Sequence, residues 1–173
     1  MNKNTKTLII IILILVGISS TGLYLNKDNI KRNKELNEKA IFEIYDSGEF
    51  LTAYTMKEIR EMGEEKFEAT LDTSSTQAKA YEYTGVLLKK IFKAADLEIH
   101  NRELVAVTGA DGYTVALSIN KVIENDNVYL AYKREGISLG TREDGGNGPY
   151  QLIIRKDQFS QNWCKYVVKA DVR

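Results

Sequence analysis

One stretch of this chain settles where its folded domain can begin. No charged residue occurs between Lys6 and Lys27, and Leu8 to Ile18 reads LIIIILILVGI. Eighteen helical residues from Leu8 to Leu25 would extend about 27 Å, close to the hydrocarbon thickness of a bilayer. Lys3 and Lys6 precede the run, so the positive-inside rule puts the N-terminus in the cytoplasm and the rest of the chain outside. The same residues suit a secretory signal peptide, with small residues near Ser19, Ser20 and Gly22. The run is long for a signal, and Lys27, Lys31, Arg32 and Lys34 follow it, which favours an uncleaved single-pass anchor. Either reading places the domain outside the cytoplasm. The only cysteine is Cys164, so lipid modification of a cysteine behind the apolar run is excluded.

The expected organisation is therefore an anchor or signal over 1–25, a charged tether over 26–39 (NKDNIKRNKELNEK) and one domain over 40–173. The whole chain carries 24 Lys+Arg against 24 Asp+Glu. That balance gives no reason to propose nucleic-acid binding. A lone cysteine cannot form an internal disulfide, so stability has to come from core packing.

Within the domain, IFEIYD from Ile41 is the first compact β-type run. Thr55 to Glu58 has the spacing of a capping box ahead of a short helix carrying Met56, Ile59 and Met62. Lys66 to Leu71 can alternate as a strand. Thr84 to Ala95 (TGVLLKKIFKAA) predicts a helix, with Leu88, Ile91, Phe92 and Ala95 at helical spacing. Leu104–Thr108 and Tyr113–Leu117 flank Asp111-Gly112 and predict a hairpin, after which Ser118 can cap a short helix. Val128 to Lys133 and Tyr150 to Ile154 read as strands on either side of a glycine-rich loop, Gly140 to Gly148. Asp157 to Asn162 suits a helical turn. In the last strand, alternation puts Cys164, Tyr166, Val168, Ala170 and Val172 on an apolar face, with Lys165, Val167, Lys169 and Asp171 opposite. Strands interspersed with few short helices make this an α+β domain of mixed sheets, preceded by one N-terminal hydrophobic helix.

Isolated side chains carry little chemistry. Cys164 reads as a buried strand residue, and His100, the only histidine, as a surface loop residue that cannot build a histidine metal site. Asp111-Gly112 reads as a turn. GGNG lacks the strand-to-helix setting and the Gly-Lys-Ser/Thr of a phosphate loop, so its glycines serve backbone conformation. Trp163 and most of the tyrosines read as packing. No catalytic and no metal-ligating residue is assigned.

Several segments in collinear order resemble the molybdopterin-binding domain of the sulfite oxidase family. TGVLLKKIFKAADL is similar to its "W-x-G-V-P-L-x-D-L-L" helix, and TGADGYTVALSINKV to its "S-x-D-G-Y-x-x-x-L-x-L" hairpin. NVYLAYKREGISL resembles "L-L-A-Y-x-x-N-G-x-P-L", GNGPYQLII resembles "H-G-x-P-L-R-L-V-V", and NWCKYVVKADV resembles "S-V-K-W-L-x-x-I-x-V". Each motif alone is weak; five in order over about residues 41–173 are specific. The resemblance implies a sulfite-oxidase-type fold in a small single-domain version.

It also implies what is altered here. In catalytic members a cysteine thiolate upstream of the "G-V-P-L" helix ligates molybdenum; the matching stretch, EATLDTSSTQAKAYEY over 68–83, has no cysteine. Cys164 falls instead at the valine of "S-V-K-W". The histidine and arginine of "H-G-x-P-L-R", which help bind the pterin phosphate, are Asn147 and Gln151 here, and loss of two cations weakens charge-assisted contacts to a phosphate. Lys165 keeps the lysine of "S-V-K-W", and Arg155 and Arg142 are the cations available to compensate. The expected cleft residues are thus Lys165, Arg155, Arg142 and Asn147. The expected function is a degenerate, non-catalytic extracytoplasmic domain that needs no cofactor, binds a small anionic ligand or a partner in the former cofactor cleft, and is held to the membrane by its N-terminal helix. The alternatives are a molybdopterin-dependent oxidoreductase or redox accessory that works with an envelope redox protein, and a cell-envelope interaction module.

Overall fold

The computed structural model describes residues 5, 8–9, 11–21, 39–74 and 76–173. The chain divides into two units, Met1–Glu35 and Leu36–Arg173. In the first, residues 11–21 are helical (α1). Among the described residues no helix is long and apolar enough to cross a membrane. Of the apolar helix expected from Leu8 to Leu25, residues 8, 9 and 11–21 are helical; Ile10 and the residues from Gly22 to Leu25 lie outside the described ones, as does the tether up to Glu38.

The second unit carries ten strands among its described residues. The first sheet has the order β2-β1-β10-β5-β6, built from β1 (Ile41–Asp46), β2 (Glu49–Thr55), β5 (Leu104–Gly109), β6 (Thr114–Ser118) and β10 (Val167–Val172). The second has the order β3-β4-β7-β8, built from β3 (Glu65–Thr73), β4 (Thr76–Leu87), β7 (Val128–Arg134) and β8 (Ile137–Ser138), with β9 (Gln151–Ile154) also paired to β7. Of these pairings only that of β1 with β10 is parallel; the others are antiparallel. Three short helices, α2 (Met56–Glu61), α3 (Leu88–Ala94) and α4 (Ile119–Ile123), and a 3-10 turn (Ser160–Asn162) complete an α+β domain of mixed sheets.

Local sequence explains much of this. The Thr55 side chain accepts from the Glu58 amide (3.4 Å) and Glu58 Oε2 accepts from the Thr55 amide (2.7 Å), the reciprocal capping box that starts α2. The two-residue turns Ser47-Gly48 and Glu135-Gly136 have positive φ throughout (54° and 90°; 53° and 74°), the backbone twist that closes β1–β2 and β7–β8. Trp163 packs edge-on to Tyr83 (5.8 Å between rings) and donates its Nε1–H to the Ile154 carbonyl (3.2 Å).

The region around Gly85 departs from the periodicity. Thr84 to Leu87 belong to β4, not to a helix, and α3 starts only at Leu88. Gly85 pairs with Ala131, and a Cβ there would lie 2.6 Å from the Leu130 carbonyl oxygen and 2.8 Å from Ala131 Cα. The backbones of β4 and β7 touch at that point, so tertiary pairing overrides a pattern that helix and buried strand share. Val86, Leu88, Ile91 and Phe92 are buried on either reading. One cluster of buried apolar side chains draws on both sheets and all three domain helices.

Candidate functional site: the cleft beneath the glycine-rich loop

The sequence places an apolar strand face at the C-terminus, and the structure breaks that face in a way that builds a cleft. Cys164, Val167, Ala170 and Val172 are fully buried, whereas Tyr166 and Val168 are only half-buried. Two features change the phase. Tyr166 has a left-handed backbone (φ 55°), unusual for a bulky residue. A bulge then falls between Val167 and Lys169 in the pairing of β10 with β5. Simple alternation from Cys164 to Val172 is therefore wrong: the strand starts only at Val167, so Cys164 is buried but not a strand residue, and Val167 goes inward while Tyr166 and Val168 are half-buried. Asp171, expected on the polar face, is buried, accepting from the Gly48 amide (3.0 Å) and the Arg173 guanidinium (2.6 Å).

The residues 164–167 stitch the two sheets together. The Leu152 amide donates to the Cys164 carbonyl (2.8 Å), the Tyr166 amide to the Asn147 carbonyl (3.0 Å), and the Val167 amide to the Tyr150 carbonyl (2.9 Å). On the other side the Ala110 amide donates to the Tyr166 carbonyl (2.8 Å). Hydrogen bonds on both flanks hold the left-handed tyrosine in place.

The glycine-rich loop forms the upper wall. Its ends are zipped together, with the Asn147 amide on the Leu139 carbonyl (3.0 Å) and the Gly148 amide on the Gly140 carbonyl (2.9 Å). A Cβ on Gly146 would sit 2.2 Å from the Leu139 oxygen, so that glycine serves close backbone approach rather than positive φ. Gly140 and Gly145 do have positive φ, as the loop reading expects. The loop leads through a cis Gly148–Pro149 peptide into β9.

A cleft of about 220 Å³ lies between this loop and the last strand, with Ala110, Pro149, Tyr166 and Val168 as its apolar lining and Thr141, Arg142 and Glu143 at its mouth. The Arg142 guanidinium stands 5.9 Å from the centre of the Tyr166 ring, a cation over an aromatic face. Behind the same loop is a second cavity of about 300 Å³ that Asn147 lines with Tyr81 and Arg134. The Tyr81 ring is flanked by the cations of Arg134 (4.9 Å) and Lys79 (4.8 Å).

Of the four expected cleft residues, Arg142 lines the cleft and Asn147 the cavity behind it. Arg142 and Asn147 sit on one loop, and Lys165 adjoins Tyr166, which is bonded to Asn147. Lys165 is exposed, lines neither cavity, and has no side-chain partner among the described residues. Arg155 is elsewhere: it follows the far end of β9, its amide bonds the Asn127 carbonyl (2.8 Å), and its Nε–H donates to the Glu68 carbonyl (3.0 Å). Gln151, at the family's arginine position, is buried, and its Oε1 has no hydrogen-bond partner among the described residues. Tyr166, Thr141 and Tyr81 were not assigned from the sequence. The adjacent valines Val167-Val168 were the available signal, since two apolar neighbours in a strand imply a change of face.

Cys164 lines neither cavity. It is fully buried, its Sγ lies within 3.7 Å of the Tyr113 carbonyl oxygen and 3.5 Å of that of Lys165, and burial, with the Asp111 carboxylate nearby, pushes the thiol up to about 12. A metal ligand must be the thiolate. The stretch 68–83, where a ligating cysteine is expected, belongs to the β3–β4 hairpin and has none. Among the described residues no group of three or more His, Cys, Asp or Glu could hold a metal. Arg142 and Lys165 suit the anionic end of a pterin, but the chain offers no thiolate for its metal. Ligation of molybdenum by a protein thiolate does not fit these residues.

No curated protein matches the chain in sequence. Among solved structures, the sulfane dehydrogenase SoxCD from Paracoccus pantotrophus is similar in fold, with a TM-score of 0.64 and 16% identity. The match covers 79% of this chain and 38% of that one, so the chain spans well under half of that protein's length. A family model described as "Oxidoreductase molybdopterin binding domain" matches residues 42–173, which takes in both sheets, the glycine-rich loop and the cleft. The chain belongs to the oxidoreductase molybdopterin-binding domain family.

Proposed function

We propose that this domain is a non-catalytic member of its family that holds a small anionic, ring-bearing ligand between Arg142, Lys165 and the Tyr166 ring. The observation that carries this reading is the fate of the only thiol: Cys164 is packed in the core at a position where it stays protonated. A strained, half-buried Tyr166 held beneath a guanidinium supports a retained binding role, since strained backbone persists where the surroundings over-determine it and clusters at ligand sites. An aromatic face beneath a guanidinium favours a planar anion by stacking and charge together.

We further propose that Leu8 to Leu25 anchors the domain to the membrane, with the domain extracytoplasmic. In support, every described large apolar residue from Leu8 to Ile18 is at least 41% exposed within the chain. An apolar surface of that kind calls for a nonaqueous neighbour. A second reading, a molybdopterin oxidoreductase or redox accessory without a cysteine ligand, draws its support from family membership.

The test is binding of pterin-6-carboxylate, followed by its fluorescence and by the melting temperature of the full chain in non-ionic detergent. A ligand that binds only the folded state raises the melting temperature. The reading expects saturable binding that Arg142→Glu and Lys165→Glu each weaken at least tenfold, while Arg155→Gln leaves it intact. Binding that ignores Arg142 and Lys165, or no binding at all, would sink it.

A further inference from the structure

A third cavity, larger than the two around the glycine-rich loop, shares no residue with the cleft. It measures about 630 Å³ and opens between α3, the loop that follows it, and Ile123 at the end of α4. Its size falls in the range of small-molecule sites, whereas the cleft is smaller.

Its lining joins an apolar floor to cations with donors to spare. Leu97 and Ile99 are buried beneath it. Lys89, Lys90 and Lys93 of α3 all border it. The Lys89 ammonium is fixed by the Ile123 carbonyl (3.0 Å) and Asn125 Oδ1 (2.6 Å), and that of Lys90 by Glu65 Oε1 (3.1 Å). Lys93 is exposed and has no side-chain partner among the described residues. An ammonium carries three donors. Lys89 therefore keeps one N–H, Lys90 two and Lys93 all three.

Opposing charges are present: Asp96 and Glu98 in the lining, and Glu65 paired with Lys90. Glu98 Oε1 accepts from the His100 amide (3.0 Å), which turns that carboxylate onto its own loop. Three of the last four carbonyls of α3 are also occupied: those of Ile91, Lys93 and Phe92 accept from the amides of Ala95, Asp96 and Leu97, each at 3.1 Å. The negative end of the helix is thus capped by the chain itself.

We infer that this cavity binds a small organic phosphate, its dianion on the free donors of Lys89, Lys90 and Lys93 and its apolar body on Leu97 and Ile99. Two of the three ammonium groups are already positioned, so binding has to immobilise only Lys93. The inference is independent of what the cleft holds.

Phenyl phosphate is the probe, titrated calorimetrically into the full chain in non-ionic detergent. Saturable binding is expected, with inorganic phosphate at least tenfold weaker because it lacks the apolar body, and with phenyltrimethylammonium not bound. Lys93→Glu, at an exposed position that does not disturb the core, should weaken phenyl phosphate at least tenfold. Arg142→Glu in the cleft should leave it unchanged. Absence of saturable binding, indifference to Lys93→Glu, or loss through Arg142→Glu would each overturn the assignment.

Discussion

Cys164 offers a quantitative test, because its burial makes a rate prediction. The thiol is pushed up to about 12 by desolvation and by the Asp111 carboxylate. At about pH 7.5 a group of that pKa is thiolate roughly once in 30,000 molecules, against roughly one in ten for an unperturbed cysteine near 8.5. The reactive population is therefore lowered by a factor of roughly 3,000, and zero exposure of the residue adds a barrier of access. The assay is second-order labelling by a disulfide or maleimide reagent, on the folded chain and in concentrated guanidinium. We expect at least a thousandfold difference, with one thiol titrated in denaturant. Labelling of the folded chain within about tenfold of the unfolded rate would refute the burial, and with it the argument that this thiol cannot serve as a ligand.

Further outcomes follow from the packing. Gly85→Ala drives a methyl into the Leu130 carbonyl 2.6 Å away, and should cost about 1–3 kcal/mol or more in denaturant melts, because backbone rather than a flexible side chain must yield. Thr55→Ala removes the side-chain half of the capping box and should cost about 1 kcal/mol. Raising the pH should destabilise the domain. Burial holds Cys164 and Tyr129 each at about 12, so the unfolded chain loses these protons first, and stability present below about pH 9 falls progressively towards pH 12. Thermal melts across that range read the effect, and a flat profile would contradict the buried neutral forms.

Much of this was legible from residue pattern because local chemistry and tertiary fold agree. The IFEIYD strand, the capping box at Thr55 and the Asp111-Gly112 hairpin all follow from spacing that one element type satisfies. The TGVL segment was not legible, since its apolar residues suit a helix and a buried strand equally and only contact with β7 decides. The last strand failed for a different reason. Its alternation is interrupted by a left-handed Tyr166 and a bulge, both imposed by hydrogen bonds to Asn147 and Ala110, distant in sequence. That interruption creates the cleft, so the part of the strand that departs from pattern is the part that presents Tyr166. Arg155 was chosen for its place beside the GNGPYQLII strand, but it follows the end of β9 remote from the glycine-rich loop, a separation that sequence alone does not show.

The central claim, that this family member has no protein thiolate on molybdenum, meets its most direct test in the metal content of the protein. The full chain should be purified from cells that make the molybdenum cofactor, as wild type and as Cys164→Ala, and assayed for molybdenum per chain. The account predicts molybdenum far below stoichiometric in both, with the substitution affecting stability alone. One molybdenum per wild-type chain, lost in a folded Cys164→Ala variant, would contradict it.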